Sequence, residues 1–146
     1  MPIFENYKQC MDWENELREA YGLQMVLSIR EHPDKDNCPE WFVPELNDVA
    51  VKDINGYPLP DEFMIVASGD KFLGGEASCD FEVKVKRPSW MKLWKLADEQ
   101  MRCTCDYHHI FLEGIGPRRW RNSDTNTYEQ VYHENGLPIY EFWLGS

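Results

Sequence analysis

The first twenty residues place apolar and polar positions with the period of an α-helix. When each residue turns by ~100°, the apolar positions fall on one side, which predicts a helix over residues 6–21 that ends at Gly22. That apolar side consists of Tyr7, Cys10, Trp13, Leu17, Ala20 and Tyr21. The opposite side carries an acidic stripe made of Glu5, Asp12, Glu16 and Glu19. We therefore expect a surface helix that turns its acidic side outward.

A second helix is predicted over residues 89–102. Pro88 precedes it, and Ser89 can accept a hydrogen bond from a backbone amide of the first turn. The apolar positions again recur at helical spacing and predict a face that is buried against a sheet. These positions are Trp90, Leu93, Trp94, Ala97 and Met101.

Between and after the helices, apolar runs and alternating patterns predict β-strands. The alternation is clearest over residues 79–87, where apolar and charged side chains point to opposite faces, as in an antiparallel sheet with one solvated face. Asn-Gly pairs at 55–56 and 135–136 predict tight turns, the second of them within a hairpin over residues 128–144. Further strands are predicted over 23–30, 63–67, 104–115 and 139–144, a further turn at 74–75, and irregular segments over 32–48 and 118–126.

Strand segments interrupted by two helices predict an α+β fold with a mostly antiparallel sheet. We find no internal repeat, and 146 residues fit a single domain, 1–146. No apolar run reaches the roughly 18–20 residues of a membrane span, so we expect a soluble, cytoplasmic protein that does not interact with membranes. The odd number of cysteines, five, favours reduced thiols over a disulfide framework.

The charge of the chain lies almost entirely in its first half. The formal net charge is −11, and residues 1–80 contain 17 acidic and 6 basic residues, whereas residues 81–146 contain nine of each. Such a field attracts basic protein surfaces and repels nucleic acid phosphates, which disfavours direct nucleic-acid binding by the acidic half. An acidic surface can also serve solubility alone.

Potential metal ligands are densest near the middle of the second half. They are Cys103, Cys105, Asp106, His108 and His109. In a strand that includes this segment, Cys103, Cys105 and His109 would share one face, so at most three ligands could converge. Structural zinc sites usually add a second short-spaced pair, and the sequence contains none. The alternatives are a metal site and packed thiols with hydrogen-bonded imidazoles, and we expect no cofactor.

The same predicted strand offers a catalytic interpretation. His109 and Glu113 would share a face, so the carboxylate could orient the imidazole for general acid or base catalysis, with His108 as a further candidate. No local motif supplies an activated nucleophile. Paired polar side chains on a solvated sheet face are the simpler interpretation.

A basic cluster made of Arg118, Arg119, Trp120 and Arg121 follows a Gly-Ile-Gly-Pro segment. Guanidinium groups bind phosphate or carboxylate at two points, and tryptophan can stack on a ring, so the cluster could hold an anionic ligand. It could equally pair with the acidic first half of the same molecule.

These observations favour a small acidic binding protein that covers a basic protein surface, as an inhibitor, immunity-type protein or nucleic-acid mimic would. The candidate binding residues are the acidic stripe and the arginine cluster. One alternative is a small hydrolase or metal-assisted enzyme that uses the Cys103–His109 segment. A second alternative is a homo-oligomeric assembly protein that associates through its aromatic C-terminal strand.

Overall fold

The computed structural model describes residues 3–29, 41–69 and 78–146, which form two helices and nine strands. The helices are α1 (Tyr7–Tyr21) and α2 (Trp90–Thr104). The strands are β1 (Ile3–Phe4), β2 (Val26–Leu27), β3 (Trp41–Phe42), β4 (Glu62–Ala67), β5 (Phe81–Lys86), β6 (Phe111–Pro117), β7 (Arg119–Asn122), β8 (Thr127–Gln130) and β9 (Ile139–Gly145). The predicted turn at 74–75 and positions 32–40 of the predicted irregular segment lie outside the described residues.

Five of these strands form one sheet in the order β2-β6-β9-β4-β5. The pairs β2–β6 and β4–β9 are parallel, whereas β6–β9 and β4–β5 are antiparallel. The structure thus has the expected combination of two helices with strands, but the prediction of a mostly antiparallel sheet is wrong because the sheet is mixed. Strand direction depends on the long connections between strands, which alternation within one strand does not report.

Helix α1 begins and ends where the sequence predicts. Asn6 has an extended backbone, and its side chain accepts a hydrogen bond from the amide of Gln9 at 3.0 Å. Gly22 ends the helix in the left-handed conformation, with φ of 67°, and its amide bonds back to the last turn. The ends of the helix are therefore set by local capping.

Helix α2 begins at its predicted cap but ends later than predicted. The Ser89 side chain accepts a hydrogen bond from the amide of Lys92 at 3.2 Å. The helix continues to Thr104, and Cys105 caps it with a φ of 57°, so the prediction of a strand starting at residue 104 is wrong. Thr104 lies on the buried face, and its hydroxyl donates a hydrogen bond to the carbonyl of Gln100 at 2.8 Å. The helix is thus two residues longer than predicted, because strand-favouring residues further along the segment obscured its end.

The hydrophobic core lies between the helices and one face of the sheet. All five positions predicted for the buried face of α2 are buried, and Trp94 and Leu93 are fully enclosed. The Trp94 indole also donates a hydrogen bond to the carbonyl of Met25 at 2.9 Å. This bond fixes α2 against the approach to strand β2.

Strand β2 is shorter than the predicted 23–30 strand, and side chains form hydrogen bonds with the backbone amides on its outer side. Its inner amides bond to the segment around β6, from Val26 to the Ile110 carbonyl at 2.7 Å and from Ser28 to the Leu112 carbonyl at 2.8 Å. The amides that alternate with them point away from β6 and bond to buried carboxylates. Met25 donates to Asp98 at 2.9 Å and Leu27 donates to Glu14 at 2.5 Å.

Two turns of similar sequence occur 80 positions apart. Residues 51–59 read VKDINGYPL and residues 131–139 read VYHENGLPI. Their backbone bonds correspond: Asp53 and His133 each donate to the residue four positions later at 2.8 Å, and each accepts from the turn glycine. Both turns lead into the neighbouring parallel strands β4 and β9. The two segments differ at most positions, so their similarity is not obvious from the sequence.

Two segments predicted to be irregular contain strands. Residues 41–42 form β3, which pairs with β1, and residues 119–122 form β7, which pairs with β8. The turn at 135–136 exists, but the predicted hairpin over 128–144 is wrong beyond the turn itself. Strand β8 pairs with β7, while β9 enters the main sheet between β6 and β4.

Candidate functional site

The four acidic side chains of the predicted stripe are all exposed, with Asp12, Glu16 and Glu19 on one side of α1 and Glu5 just before the helix. We call Glu5, Asp12, Glu16 and Glu19 the acidic face. Asp12 forms an ion pair with Lys8 at 3.0 Å, and both side chains are solvated. Glu16 and Glu19 have no side-chain partner within ranges 3–29, 41–69 and 78–146. No basic side chain in those ranges neutralises their charges.

The buried side of α1 sets the direction of the acidic face. Cys10 and Glu14 are fully buried, and they lie on the side of the helix opposite Asp12, Glu16 and Glu19. Because Glu14 bonds to the amide of Leu27, the helix cannot rotate about its axis without breaking a buried hydrogen bond. The predicted apolar side is only partly correct, since Tyr7, Ala20 and Tyr21 are exposed.

The acidic face presents its charges at regular intervals. At ~1.5 Å rise per residue, Asp12 and Glu16 lie about 6 Å apart along the helix axis, and Asp12 and Glu19 about 10.5 Å. A folded, capped helix holds these intervals without further ordering on binding. The face can therefore meet several cations of a basic surface at once.

The arginine cluster does not pair with the acidic first half within the described residues. Arg118 is partly buried and forms an ion pair with Glu141 at 3.2 Å, while Arg121 donates to the side chain of Asn126. Arg119 and Trp120 are exposed on β7. Among the described residues, the first-half partner of Arg118 is the backbone carbonyl of Val66, which accepts a hydrogen bond from its guanidinium group.

The segment predicted as a strand of metal ligands is instead the end of α2 and a loop. Cys103 lies in the helix and is joined to Cys79 by a disulfide, and Cys105 is the helix cap. The expectation that the thiols are unpaired is therefore wrong for two cysteines. Among the described residues, no three His, Cys, Asp or Glu side chains are grouped in a way that could hold a metal ion. The shared face that the metal interpretation required does not exist.

The predicted His109–Glu113 pair is also absent. The partner of His109 is Asp106, whose carboxylate lies 2.9 Å from Nδ1, and both side chains are partly solvated. Glu113 occupies an irregularity of β6 between Leu112 and Gly114, where the register with β9 shifts. Because of this shift, simple alternation along the segment does not give the direction of the Glu113 side chain. His108 is exposed.

A second histidine–carboxylate pair was not predicted. His133 Nε2 lies 2.5 Å from the Glu82 carboxylate, and its Nδ1 accepts the amide of Asn135 at 3.1 Å. An Nδ1 that accepts a hydrogen bond carries no proton, so Nε2 is the donor to Glu82. The pair connects the second repeated turn to β5. The only sequence signal was the position of His133 two residues before Asn135 in the turn.

Tyr140 is a buried titratable side chain at the start of β9. Burial raises the pKa of its phenol above the ordinary value of 10.0, and the negative charge of Asp53 raises it further. Arg119 acts in the opposite direction. The first repeated turn and β7 therefore both come close to this end of β9.

The outer face of the sheet, away from the helices, carries an exposed tryptophan. The side chain of Trp143 on β9 is 50% exposed, and Ile54 of the first repeated turn lies beside it over Gly114 and Gly116. Both edges of β9 are occupied by β6 and β4. A second copy therefore cannot extend the sheet from this strand and could contact only its outer face.

No family model, curated protein or solved structure matches the chain. Within the described ranges, no helix has the length and apolar character needed to cross a membrane.

Proposed function

We propose that the chain is a non-enzymatic binding protein whose acidic face covers a basic site on another macromolecule, as an inhibitor, immunity-type protein or nucleic-acid mimic does. The observation that carries the proposal is the exposure of Glu16 and Glu19 without side-chain partners in the described structure. They stand directly opposite the buried side of a helix whose orientation Glu14 fixes. A rigid row of uncompensated charges suits the recognition of a surface of opposite charge.

The size of each ion pair's contribution to binding makes the proposal testable. Each exposed ion pair contributes little, typically ~0.2–1 kcal/mol, so a partner held by three or four such pairs depends on all of them. Long-range attraction to a net charge of −11 raises the association rate and falls with ionic strength. An interface of this kind loses affinity in steps when charges are neutralised.

The test compares two variants with the same net charge. The first replaces Asp12→Asn, Glu16→Gln and Glu19→Gln on the acidic face. The matched control replaces three exposed acids on β8 and the loops beside it: Asp124→Asn, Glu129→Gln and Glu134→Gln. Both variants lose three negative charges, so a difference between them reports position and not total charge.

Proteins captured from the source cells by the wild-type chain are purified, and their affinities are measured by calorimetry at low and physiological salt. We expect the acidic-face variant to bind more weakly and with a flatter salt dependence, and the control variant to bind like the wild type. Equal weakening by both variants would show a nonspecific charge effect. Unchanged affinity of the acidic-face variant would remove α1 from the interface.

Self-association through the outer face of the sheet is the second candidate, favoured by the exposure of Trp143 beside Ile54. Clusters of exposed apolar side chains often mark protein contacts. We expect Trp143→Ala to convert a dimer to a monomer in light scattering over a concentration series. A monomeric wild type at high concentration would exclude this candidate.

A further inference from the structure

Three of the five cysteines lie around the end of α2. Cys79, just before β5, is joined to Cys103 in the last turn of α2, with Cα atoms 5.5 Å apart, and Cys105 caps the helix. The bond closes a loop that contains β5 and nearly all of α2. Cys105 is a free thiol, and Cys10 is fully buried in the core.

The backbone holds the two bonded cysteines together independently of the sulfur–sulfur bond. The amide of Cys79 donates a hydrogen bond to the carbonyl of Cys103 at 2.9 Å. The neighbouring Asp80 accepts a hydrogen bond from the amide of Gly69 at 2.7 Å, which fixes the same segment from the other side. Gly69 packs so closely on Cys79 that an added Cβ would lie 2.9 Å from its backbone. After reduction, the two thiols therefore stay adjacent, at a high effective concentration.

The disulfide is accessible from solvent. Cys79 is exposed and Cys103 is partly exposed. Exposed disulfides exchange with external thiols more readily than enclosed structural ones, because the attacking thiolate must reach a sulfur atom along the bond axis. The sequence alone indicated reduced thiols, whereas the structure contains a disulfide. A bond that opens and closes is compatible with both.

We propose that Cys79 and Cys103 form a reversible thiol–disulfide exchange site that takes small thiols and dithiols as its substrate class. A dithiol thiolate attacks the Cys79 sulfur, forming a mixed disulfide, and the Cys103 sulfur leaves with the electron pair and takes up a proton. The second thiol of the reagent then attacks its own sulfur in the mixed disulfide and releases Cys79 as a thiol. The protein gains two electrons and two protons, and the dithiol becomes a disulfide. Oxidised glutathione re-forms the bond: the Cys79 thiolate attacks it and releases one reduced glutathione, and the Cys103 thiolate then attacks the Cys79 sulfur of the mixed disulfide and releases the second.

The experiment uses the folded full chain without denaturant. The protein is equilibrated with glutathione buffers that range from fully reduced to fully oxidised, quenched with acid, alkylated, and mapped by peptide mass spectrometry over all five cysteines. A parallel sample is reduced with dithiothreitol and then returned to oxidised glutathione. Circular dichroism of each sample reports whether the fold persists.

We expect alkylation of Cys79 and Cys103 to fall together, from nearly complete in the reduced buffer to nearly absent in the oxidised one. The same bond should re-form after reduction. The circular dichroism spectrum should not change. The control Cys105→Ser removes a nearby free thiol and should leave this transition unchanged. Cys79→Ser should abolish it, with Cys103 recovered as an alkylated thiol in the reduced buffers and as an alkylated thiol or a mixed disulfide with glutathione in the oxidised ones.

Three results would overturn the proposal. The first is alkylation of Cys79 and Cys103 in the oxidised buffer to the same extent as Cys105. The second is a bond that dithiothreitol cannot open in the folded protein, which would make it a purely structural disulfide. The third is pairing of Cys79 or Cys103 with a different cysteine. Because the readout needs no partner, the outcome is independent of the proposed binding function.

Discussion

The carboxylate of Glu14 on α1 accepts a hydrogen bond from the backbone amide of Leu27 at 2.5 Å, in a position fully removed from solvent. Buried carboxylates are rare unless they are bonded, because an unpaired charge in the interior is unfavourable. This contact joins the first helix to the outer side of β2. It thereby connects the packing of the sheet to the direction of the acidic face.

Glu14→Ala leaves the Leu27 amide without its acceptor. We expect the free energy of unfolding to fall by about 2–3 kcal/mol, since an unsatisfied buried amide and a small cavity both contribute. Urea denaturation measures the change. Glu16→Ala, two positions away and exposed, is the control and should stay within about 0.5 kcal/mol of the wild type. Similar values for the two variants would contradict the structural role of Glu14.

Trp94→Ala should reduce the free energy of unfolding by ~3–5 kcal/mol, because the side chain is fully buried between α2 and the sheet. Trp94→Phe keeps much of the packing but loses the hydrogen bond to Met25, so its cost should be smaller. Urea denaturation of both variants separates packing from hydrogen bonding. A loss below about 1 kcal/mol for Trp94→Ala would suit a surface position and contradict the assignment.

The raised pKa of Tyr140 predicts that the folded protein loses stability at alkaline pH. Its folded-state pKa is raised above 10.0, chiefly by burial, so above pH 10 the unfolded chain ionises more readily than the folded one. The phenol's contribution to stability is complete below pH 10 and is lost as the pH rises through the folded-state pKa. We expect Tyr140→Phe to flatten the fall of the melting temperature above pH 10, relative to the exposed control Tyr128→Phe. Parallel curves for the two variants would contradict the prediction.

Because the two turns have the same backbone hydrogen bonds, we expect a side chain at Gly56 or at Gly136 to reduce stability by a similar amount. Both residues have positive φ, 84° and 88°, and open space at the position of an added Cβ, so backbone strain dominates the effect of a side chain. We expect Gly56→Ala and Gly136→Ala each to destabilise the protein by about 1–2 kcal/mol. Thermal unfolding of both single variants and the double variant measures this. A neutral effect at either position would show that the two turns are not equivalent.

Features set by neighbouring residues were predictable from the sequence. The caps at Gly22 and Ser89 and the exposed acidic face depend on contacts within a few positions of the chain, and all of them are found. The alternation over 79–87 was also correct, because β5 has one face on the core and one in solvent. The spacing of apolar and polar residues along the chain is enough to predict these features.

Features set by distant contacts were not predictable. The buried carboxylates of Asp98 and Glu14 accept the hydrogen bonds of the outward amides at Met25 and Leu27, and the sequence pattern did not indicate either contact. The pairing of Cys79 with Cys103 depends on where α2 ends, and the predicted strand at 104–115 concealed that end. The partner of His133 lies 51 positions earlier in the chain. Such contacts follow from the arrangement of the strands, which one sequence does not specify.

The side-chain bonds along β2 also cover one edge of the sheet. A bare outer strand offers amides and carbonyls that can recruit a strand from another molecule. Here Glu14, Asp98 and the Trp94 indole occupy these groups, so the protection comes from inside the molecule and not from surface charge or proline. Loss of one of these three side chains would therefore favour aggregation even while most of the fold persists.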